Sequence, residues 1–192
     1  MLRSGIVVAA LCALVSSAHA EFYAQAMGGA TFDGNLGWDG KTYATDAGFN
    51  YGAGVGMTLD SLLGPEWAVQ GDFLHTHVTY ECCRPNALDS WSGMADMVYF
   101  AKTNTFITPY AGLGIGAVDT VYHNAVTGDW NGWNFGWQGF AGFDLGIFRS
   151  VSVFAEYRYQ GTMTGTVTQG ALAIHHVEDQ TNSVSAGVRV HI

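Results

Sequence analysis

Charged residues are scarce in this sequence. They make up 12% of its 192 residues, whereas a soluble domain carries about 25%. Acids outnumber bases, with 16 Asp and Glu against seven Lys and Arg, so the net charge at pH 7 is −9. This balance does not give the basic surface that binds a phosphate backbone. Nucleic acid is therefore excluded as an expected partner.

The sequence also lacks an apolar run long enough to cross a membrane as a helix. The run from Ile6 to Val15 has about ten residues, where a spanning helix needs roughly 20. Arg3 precedes it and Ala18-His19-Ala20 follows it, the order of a secretory signal peptide with an A-x-A cleavage site. We predict that residues 1–20 are this signal peptide and that 21–192 form one exported domain.

Cysteine is rare as well, with three in the chain. Cleavage after residue 20 would leave only Cys82 and Cys83, which are adjacent. Two neighbouring cysteines cannot link distant segments of the chain, so no disulfide framework is expected to hold this fold.

Aromatic residues, at 14%, and glycine, at 26 residues, are abundant instead. The domain alternates apolar and polar residues with period two, the pattern of β-strands. Each segment matches the roughly 9–11 residues that a tilted transmembrane strand needs. The predicted strands span residues 22–32, 47–58, 67–78, 94–102, 108–118, 134–146, 150–161 and 182–192. The sequence thus predicts an all-β, eight-stranded antiparallel transmembrane β-barrel.

The predicted connections alternate in length. Long polar connections span 33–46, 79–93, 119–133 and 162–181, and shorter ones span 59–66, 103–107 and 147–149. Long extracellular loops and short periplasmic turns are the arrangement of outer-membrane barrels. With an even number of strands, both ends of the domain are expected on the periplasmic side.

Charges fall on one face of the predicted strands and bulky apolar residues on the other. An Arg or Lys facing lipid at the midplane would cost about 2–4 kcal/mol, so we expect the apolar face to meet lipid and the charges to face inward. The predicted interior charge network consists of Asp72, Asp96, Asp144, Glu156, Arg158 and Arg189.

The interior of an eight-stranded barrel is just wide enough for side chains to fill it. The charges must then pair with one another, because an unpaired buried ion is expensive. A structural plug of ion pairs is the favoured interpretation, and a gated ion or proton path is the alternative. Four acids face two arginines, so either one acid is protonated or Lys102 reaches in.

A soluble sandwich or lipocalin-like barrel, with its apolar face inside, is the competing fold. The alternating connection lengths and the low total charge favour the membrane barrel.

Four segments of the sequence carry a resemblance to a known family. They are Pro109–Gly116, Gly136–Gly139, Glu156–Tyr159 and Ser185–Val190. In this order and spacing the chain resembles the small outer-membrane β-barrel proteins of the OmpA/OmpX and opacity type. The resemblance implies insertion by the outer-membrane assembly machinery, which reads the last strand. Members usually end in Phe, whereas this chain ends in Ile192.

Candidate ligand-binding residues lie in the predicted loops. The possible loop ligand surface consists of Trp130, Trp133, His175 and His176. Imidazole and thiolate are ligands for zinc, copper or haem iron, and His75, His77 and His123 lie in or near the loops. The spacings do not form a metal motif, so neither a metal site nor a cofactor is predicted.

We therefore predict a non-enzymatic integral protein of the outer membrane of a Gram-negative bacterium, with a structural role in the envelope and surface-exposed loops. Its expected partners are outer-membrane lipid, lipopolysaccharide and the assembly machinery. The alternative is a surface ligand binder, an adhesin or a haem or metal binder, whose loops contact a host surface or small ligand. A third class, an enzyme acting on lipid A, would need His and Ser close together. Thr76 separates His75 from His77, and no His-x-Ser occurs.

Overall fold

A computed structural model describes most of the predicted exported domain. The described residues are 20–38, 41–44, 47–60, 62–79, 86–103, 105–124, 128–163, 165–169 and 172–192. Only the backbone is described at 33–38, 41–44, 86, 124, 165, 167, 169 and 172–178. The predicted signal peptide, apart from Ala20, and the Cys82-Cys83 pair lie outside this range. The described part contains no helix of the length and apolarity that membrane crossing demands.

Ten antiparallel strands make up the described structure. They are β1 (Phe22–Trp38), β2 (Lys41–Ala44), β3 (Gly48–Leu59), β4 (Gly64–Thr79), β5 (Asn86–Phe100), β6 (Ile107–Asn124), β7 (Trp130–Phe148), β8 (Val151–Thr162), β9 (Gly165–Gln169) and β10 (Leu172–His191). Eight of them pair in the order β1-β3-β4-β5-β6-β7-β8-β10, and β10 pairs back onto β1. The predicted eight-stranded barrel is confirmed.

Closure is what makes this sheet compatible with lipid. The β1–β10 ladder runs from Tyr23↔His191 to Gly37↔Glu178, so the first and last strands leave no unpaired edge along the lipid-facing wall. In hydrocarbon every backbone polar group must be satisfied internally. The short strands β2 and β9 pair with the extracellular ends of β1 and β10 and extend the sheet there.

The strands are longer at the extracellular end than the sequence pattern predicts. The predicted loop 79–93 is wrong from Asn86 onward, because β5 begins there and pairs with β6 as far as Asn86↔Asn124. Strand pairing also takes in parts of the predicted loops 119–133 and 162–181. Above the membrane the outward face no longer has to be apolar, so the hydrophobic alternation stops while the backbone ladder continues.

The two faces of the barrel differ as predicted. Among outward side chains, Leu113 is 73% exposed and Phe143 is 56% exposed. Among inward ones, Glu156 is 2% exposed and Arg158 is 3% exposed. A soluble fold would place the charged set outside, so this arrangement excludes the sandwich and lipocalin-like alternatives.

Candidate functional site

Arg158 lies at the centre of the lumen and joins three strands. Its Nε and Nη2 atoms both donate to Oε1 of Glu156, at 2.9 and 2.8 Å. Nη2 also donates to Oδ2 of Asp72 at 2.8 Å, and Nη1 donates to Oε1 of Gln138 at 2.8 Å. Its guanidinium lies 4.7 Å from the ring centre of Phe140. Charge-assisted bonds of this kind are about twice as strong as neutral ones.

The sequence explains how these side chains meet. Glu156 and Arg158 are two residues apart on β8 and therefore share its inward face. Asp72 comes from β4, 86 residues away along the chain, and crosses the lumen because inward glycines leave space. A Cβ at Gly54 would lie 2.2 Å from Oδ1 of Asp72, and one at Gly114 would lie 1.7 Å from Oδ1 of Asp96.

A second arginine fills the periplasmic half of the lumen. Arg189 donates to Asp144 and, through Nε and Nη2, to Oε1 of Gln25 at 3.1 and 2.9 Å. Gln25 in turn donates to Asp72 at 3.2 Å, which links the two arginine clusters. Four rings lie 5.0 or 5.1 Å from the Arg189 guanidinium: Tyr23, Phe100, Tyr110 and Phe154. Aromatic faces attract a desolvated cation.

All six residues of the predicted charge network lie in the lumen, but they are not equivalent. Asp72, Glu156 and Asp144 form ion pairs with arginine. Asp96 instead accepts a 2.6 Å bond from Gln138, and its Oδ2 atom has no hydrogen-bond partner in the described part of the chain. Lys102 is exposed near the β5–β6 turn. The alternative in which Lys102 reaches into the lumen is therefore wrong.

Amides and phenols complete the network, a role that the alternation of apolar and polar residues does not reveal. Gln70 donates from Nε2 to both carboxylate oxygens of Asp72 at 3.0 Å and accepts from Tyr23 at 2.8 Å. Tyr110 donates to Oε2 of Glu156 at 3.0 Å. Their inward parity was readable from the sequence. Which carboxylate each one reaches depends on the register between strands.

Above the charged layer the lumen contains uncharged polar side chains as well as apolar ones. Thr120 and Asn134 are buried, and their side-chain polar atoms have no hydrogen-bond partner among the described residues. Asp179 is buried at the extracellular end, beyond the lipid band, where its outward neighbours Gln180 and Asn182 are polar. Its Oδ1 atom also lacks a hydrogen-bond partner in the described part of the chain. Burial raises the pKa of Asp179 to about 7.

The predicted loop ligand surface does not form as one surface. Trp130 and Trp133 both belong to β7, and residues three apart in a strand face opposite sides. Trp130 is 8% exposed and faces the lumen, whereas Trp133 is 70% exposed on the outside. The side chains of His175 and His176 lie outside the described residues. Trp133 instead borders a pocket of about 380 Å³ together with Asp119, Asn131 and Thr168.

Comparison with known proteins identifies related barrels. A family model described as the outer membrane protein beta-barrel domain matches residues 6–191. The crystal structure of Neisserial surface protein A matches with a TM-score of 0.64 and 19% identity, covering 90% of this chain and 99% of that chain. At this identity the likeness shows the fold alone.

Two further solved structures are similar at lower scores. Ail, the attachment invasion locus protein of Yersinia pestis, has a TM-score of 0.49 and 18% identity, covering 88% of this chain and 99% of that chain. The outer membrane protein AlkL, determined in lipid bilayers, has a TM-score of 0.49 and 15% identity, covering 93% and 94%. None of the curated protein sequences compared with the chain matches it.

Replacing Arg158 with Met should destabilise the barrel by about 3–5 kcal/mol at neutral pH, because removing one partner of a buried ion pair leaves the other charged and unpaired. Acidification should restore part of this loss by protonating the orphaned carboxylates. The measurement is the free energy of unfolding in lipid vesicles at neutral and acidic pH.

The control is Tyr157→Phe, next along β8 on the outward face, which loses one exposed hydrogen bond to Asn182. It should cost no more than about 1.5 kcal/mol and show no recovery in acid. Adding Asp72→Asn to Arg158→Met should also recover stability at neutral pH. Equal stability of Arg158→Met and Tyr157→Phe would contradict the network.

Asp179→Asn should stabilise the protein at pH 8 and have little effect at pH 4. Because the folded-state pKa of Asp179 lies near 7, above the value of an unfolded Asp, the folded state binds more protons between about pH 4 and 7. Stability therefore falls as pH rises through this window. One pKa unit corresponds to about 1.4 kcal/mol, so the gain at pH 8 should exceed about 1 kcal/mol. The measurement is the free energy of unfolding at both pH values, and an equal effect of the substitution at pH 4 and pH 8 would contradict a raised pKa of Asp179.

Proposed function

The chain belongs to the outer membrane β-barrel protein family, and we propose that it is a non-enzymatic barrel with a structural role in the envelope. Its place is the outer membrane of a Gram-negative bacterium. The observation that carries the proposal is the filled lumen, in which two arginine clusters join the strands and buried side chains occupy the described part of the interior.

Three layers block the lumen along its length. Arg189 and its aromatic rings occupy the periplasmic half, and Arg158 with its carboxylates occupies the middle. At the extracellular end, Val78 and Leu88 are fully buried on the inward face. Porins that conduct need 16–18 strands, whereas eight leave room only for side chains. A barrel whose interior is filled with side chains suits a structural role better than transport.

The strands continue beyond the lipid at the extracellular end and expose protein surface there. β7 runs from Trp130 to Phe148, 19 residues. At about 3.3 Å per residue and a tilt near 40°, such a strand rises about 45 Å, against an apolar band of about 25 Å. The sheet therefore extends well above the lipid, where lipopolysaccharide surrounds it. Lipopolysaccharide is a proposed partner on this ground, and the assembly machinery is proposed through the pairing of β10 with β1.

The placement of serine supports a non-enzymatic role. His75 faces outward and is paired with Trp91 of β5. The serines on either side of that residue, Ser90 and Ser92, are 8% and 3% exposed and face the lumen. The His75 imidazole and these two hydroxyls therefore lie on opposite sides of the barrel wall and cannot act together as a nucleophile and base, which must lie within hydrogen-bond reach.

Planar bilayers containing the purified protein should show at most small, rare openings. The expectation follows from the filled lumen, and the measurement is single-channel current at neutral pH. A stable conductance of porin size would contradict a plugged barrel and indicate a pore formed by several copies or by rearrangement of the network.

A second candidate function, binding of a sugar at the cell surface, is favoured by one observation. The exposed Trp133 indole borders the 380 Å³ pocket next to Asp119, which is its direct partner across the β6–β7 ladder. Asn131 and Thr168 line the same pocket. A flat aromatic face flanked by carboxylate, amide and hydroxyl groups suits a sugar ring, which has apolar faces and polar edges.

Trp133→Ala separates the two candidates. A structural role predicts that a strain lacking this protein is more sensitive to detergents. The parent chain and Trp133→Ala should then restore detergent resistance equally. Surface sugar binding predicts that purified parent protein retains particular glycans on an array and that Trp133→Ala loses them. Failure of the parent to restore detergent resistance would reject the structural role.

A further inference from the structure

Three histidines surround one aspartate on the outer wall at the extracellular end. His75 and His77 are two residues apart on β4 and so share its outward face. Asp89 of β5 pairs directly with His77, and His123 of β6 pairs with Ala87, two residues from Asp89. We call His75, His77, Asp89, His123 and the neighbouring Asp129 the rim cluster.

The nitrogens of this cluster converge on one carboxylate. Nδ1 of His77 lies 2.7 Å from Oδ1 of Asp89, and Nε2 of His75 lies 3.4 Å from the same atom. Nε2 of His123 lies 3.1 Å from Oδ2 of Asp89. The three imidazole nitrogens and the carboxylate thus occupy a space of a few ångströms, on strands that the barrel ladder holds in register.

His123 has a carboxylate at each ring nitrogen. Its Nδ1 atom lies 3.0 Å from Oδ1 of Asp129, opposite the contact between Nε2 and Asp89. A histidine that binds a metal through one nitrogen almost always donates from the other to a carboxylate, carbonyl or water. Asp129 is placed to accept that second bond.

Aromatic rings pack against His75 on one side, and the cluster is open to water on the other. The His75 ring lies 4.4 Å from the ring centre of Trp91 and 5.0 Å from that of Tyr51. His75 is 11% exposed, and its Nδ1 atom has no hydrogen-bond partner among the described residues. His77 and His123 are 30% and 43% exposed. A cation can therefore reach the cluster from the extracellular side.

We propose that the rim cluster binds one zinc-class divalent cation through His75, His77, His123 and Asp89. Three imidazoles and a carboxylate are a donor set for Zn²⁺, whereas Ca²⁺ and Mg²⁺ prefer sites made of oxygen ligands alone. Such an ion would tie together the extracellular ends of β4, β5 and β6. This site goes beyond the proposed structural role and does not depend on it.

Among the described residues, no group of three or more His, Cys, Asp and Glu side chains is already arranged to hold a metal ion. The three imidazoles instead contact Asp89 directly. Binding therefore opens these contacts around the ion, while Nδ1 of His123 keeps its contact with Asp129.

Zinc titration of the purified, folded full-length domain in detergent tests the proposal. Calorimetry at neutral pH should give one Zn²⁺ per barrel. A large excess of Ca²⁺ should not compete. His123→Gln and Asp89→Asn should abolish saturable binding, and Asp129→Asn should weaken it about 10- to 100-fold.

Two controls decide where the ion binds. His191→Gln, at the opposite end of the barrel, should bind zinc as the parent does. The pair His175→Gln and His176→Gln should also leave binding unchanged. Heat-dependent mobility in gels confirms that each variant is folded. No saturable zinc binding by the parent, equal binding by Asp89→Asn, or loss only in the His175 and His176 variant would overturn the proposal.

Discussion

The ion pair between Arg158 and Asp72 spans a lumen that exists only because the sheet closes on itself. Closure forces eight strands into a narrow ring, and lipid outside forces the charges that these strands carry within the bilayer to the inside. Opposite walls then lie so close that side chains from β4 and β8 meet directly. A buried pair of this kind contributes little net stability, yet losing one partner is costly. The pair therefore favours the closed barrel with this register over other registers, which would leave a buried charge without a partner.

The two arginines solve the same problem of desolvation in different ways. Arg158 meets two carboxylates and an amide, so its charge is neutralised mainly by ions. Arg189 has one carboxylate, and aromatic rings and Gln25 supply the rest of its surroundings. With four acids and two arginines, the imbalance is left on Asp96, which forms no ion pair with an arginine among the described residues and accepts a hydrogen bond from the Gln138 amide. The inward glycines make this crowding possible.

The sequence predicts which face each residue takes more reliably than which residue it meets. Alternation with period two is local, so the inward placement of Arg158 and Glu156 follows from their own strand. Contact between Arg158 and Asp72 depends on register across the ring, which a single sequence does not state. Trp130 and Trp133 were grouped because both lay in a predicted loop. Once those residues are known to be in a strand, their spacing alone puts them on opposite faces.

The outer boundary of the lipid bilayer explains why the predicted strands end too early. It also explains where the candidate sites lie. Within the bilayer, the outward face is restricted to apolar and aromatic side chains, and the alternation that reveals strands is a record of that restriction. Above it the restriction ends while the ladder continues, so His77, Asp89 and Asp119 can face outward on ordered strands. Pattern alone assigns Asp89 and Asp119 to loops, although it keeps His77 in a strand. Reactive side chains on the outer wall are thus concentrated where the backbone is still rigid but lipid no longer selects the residues.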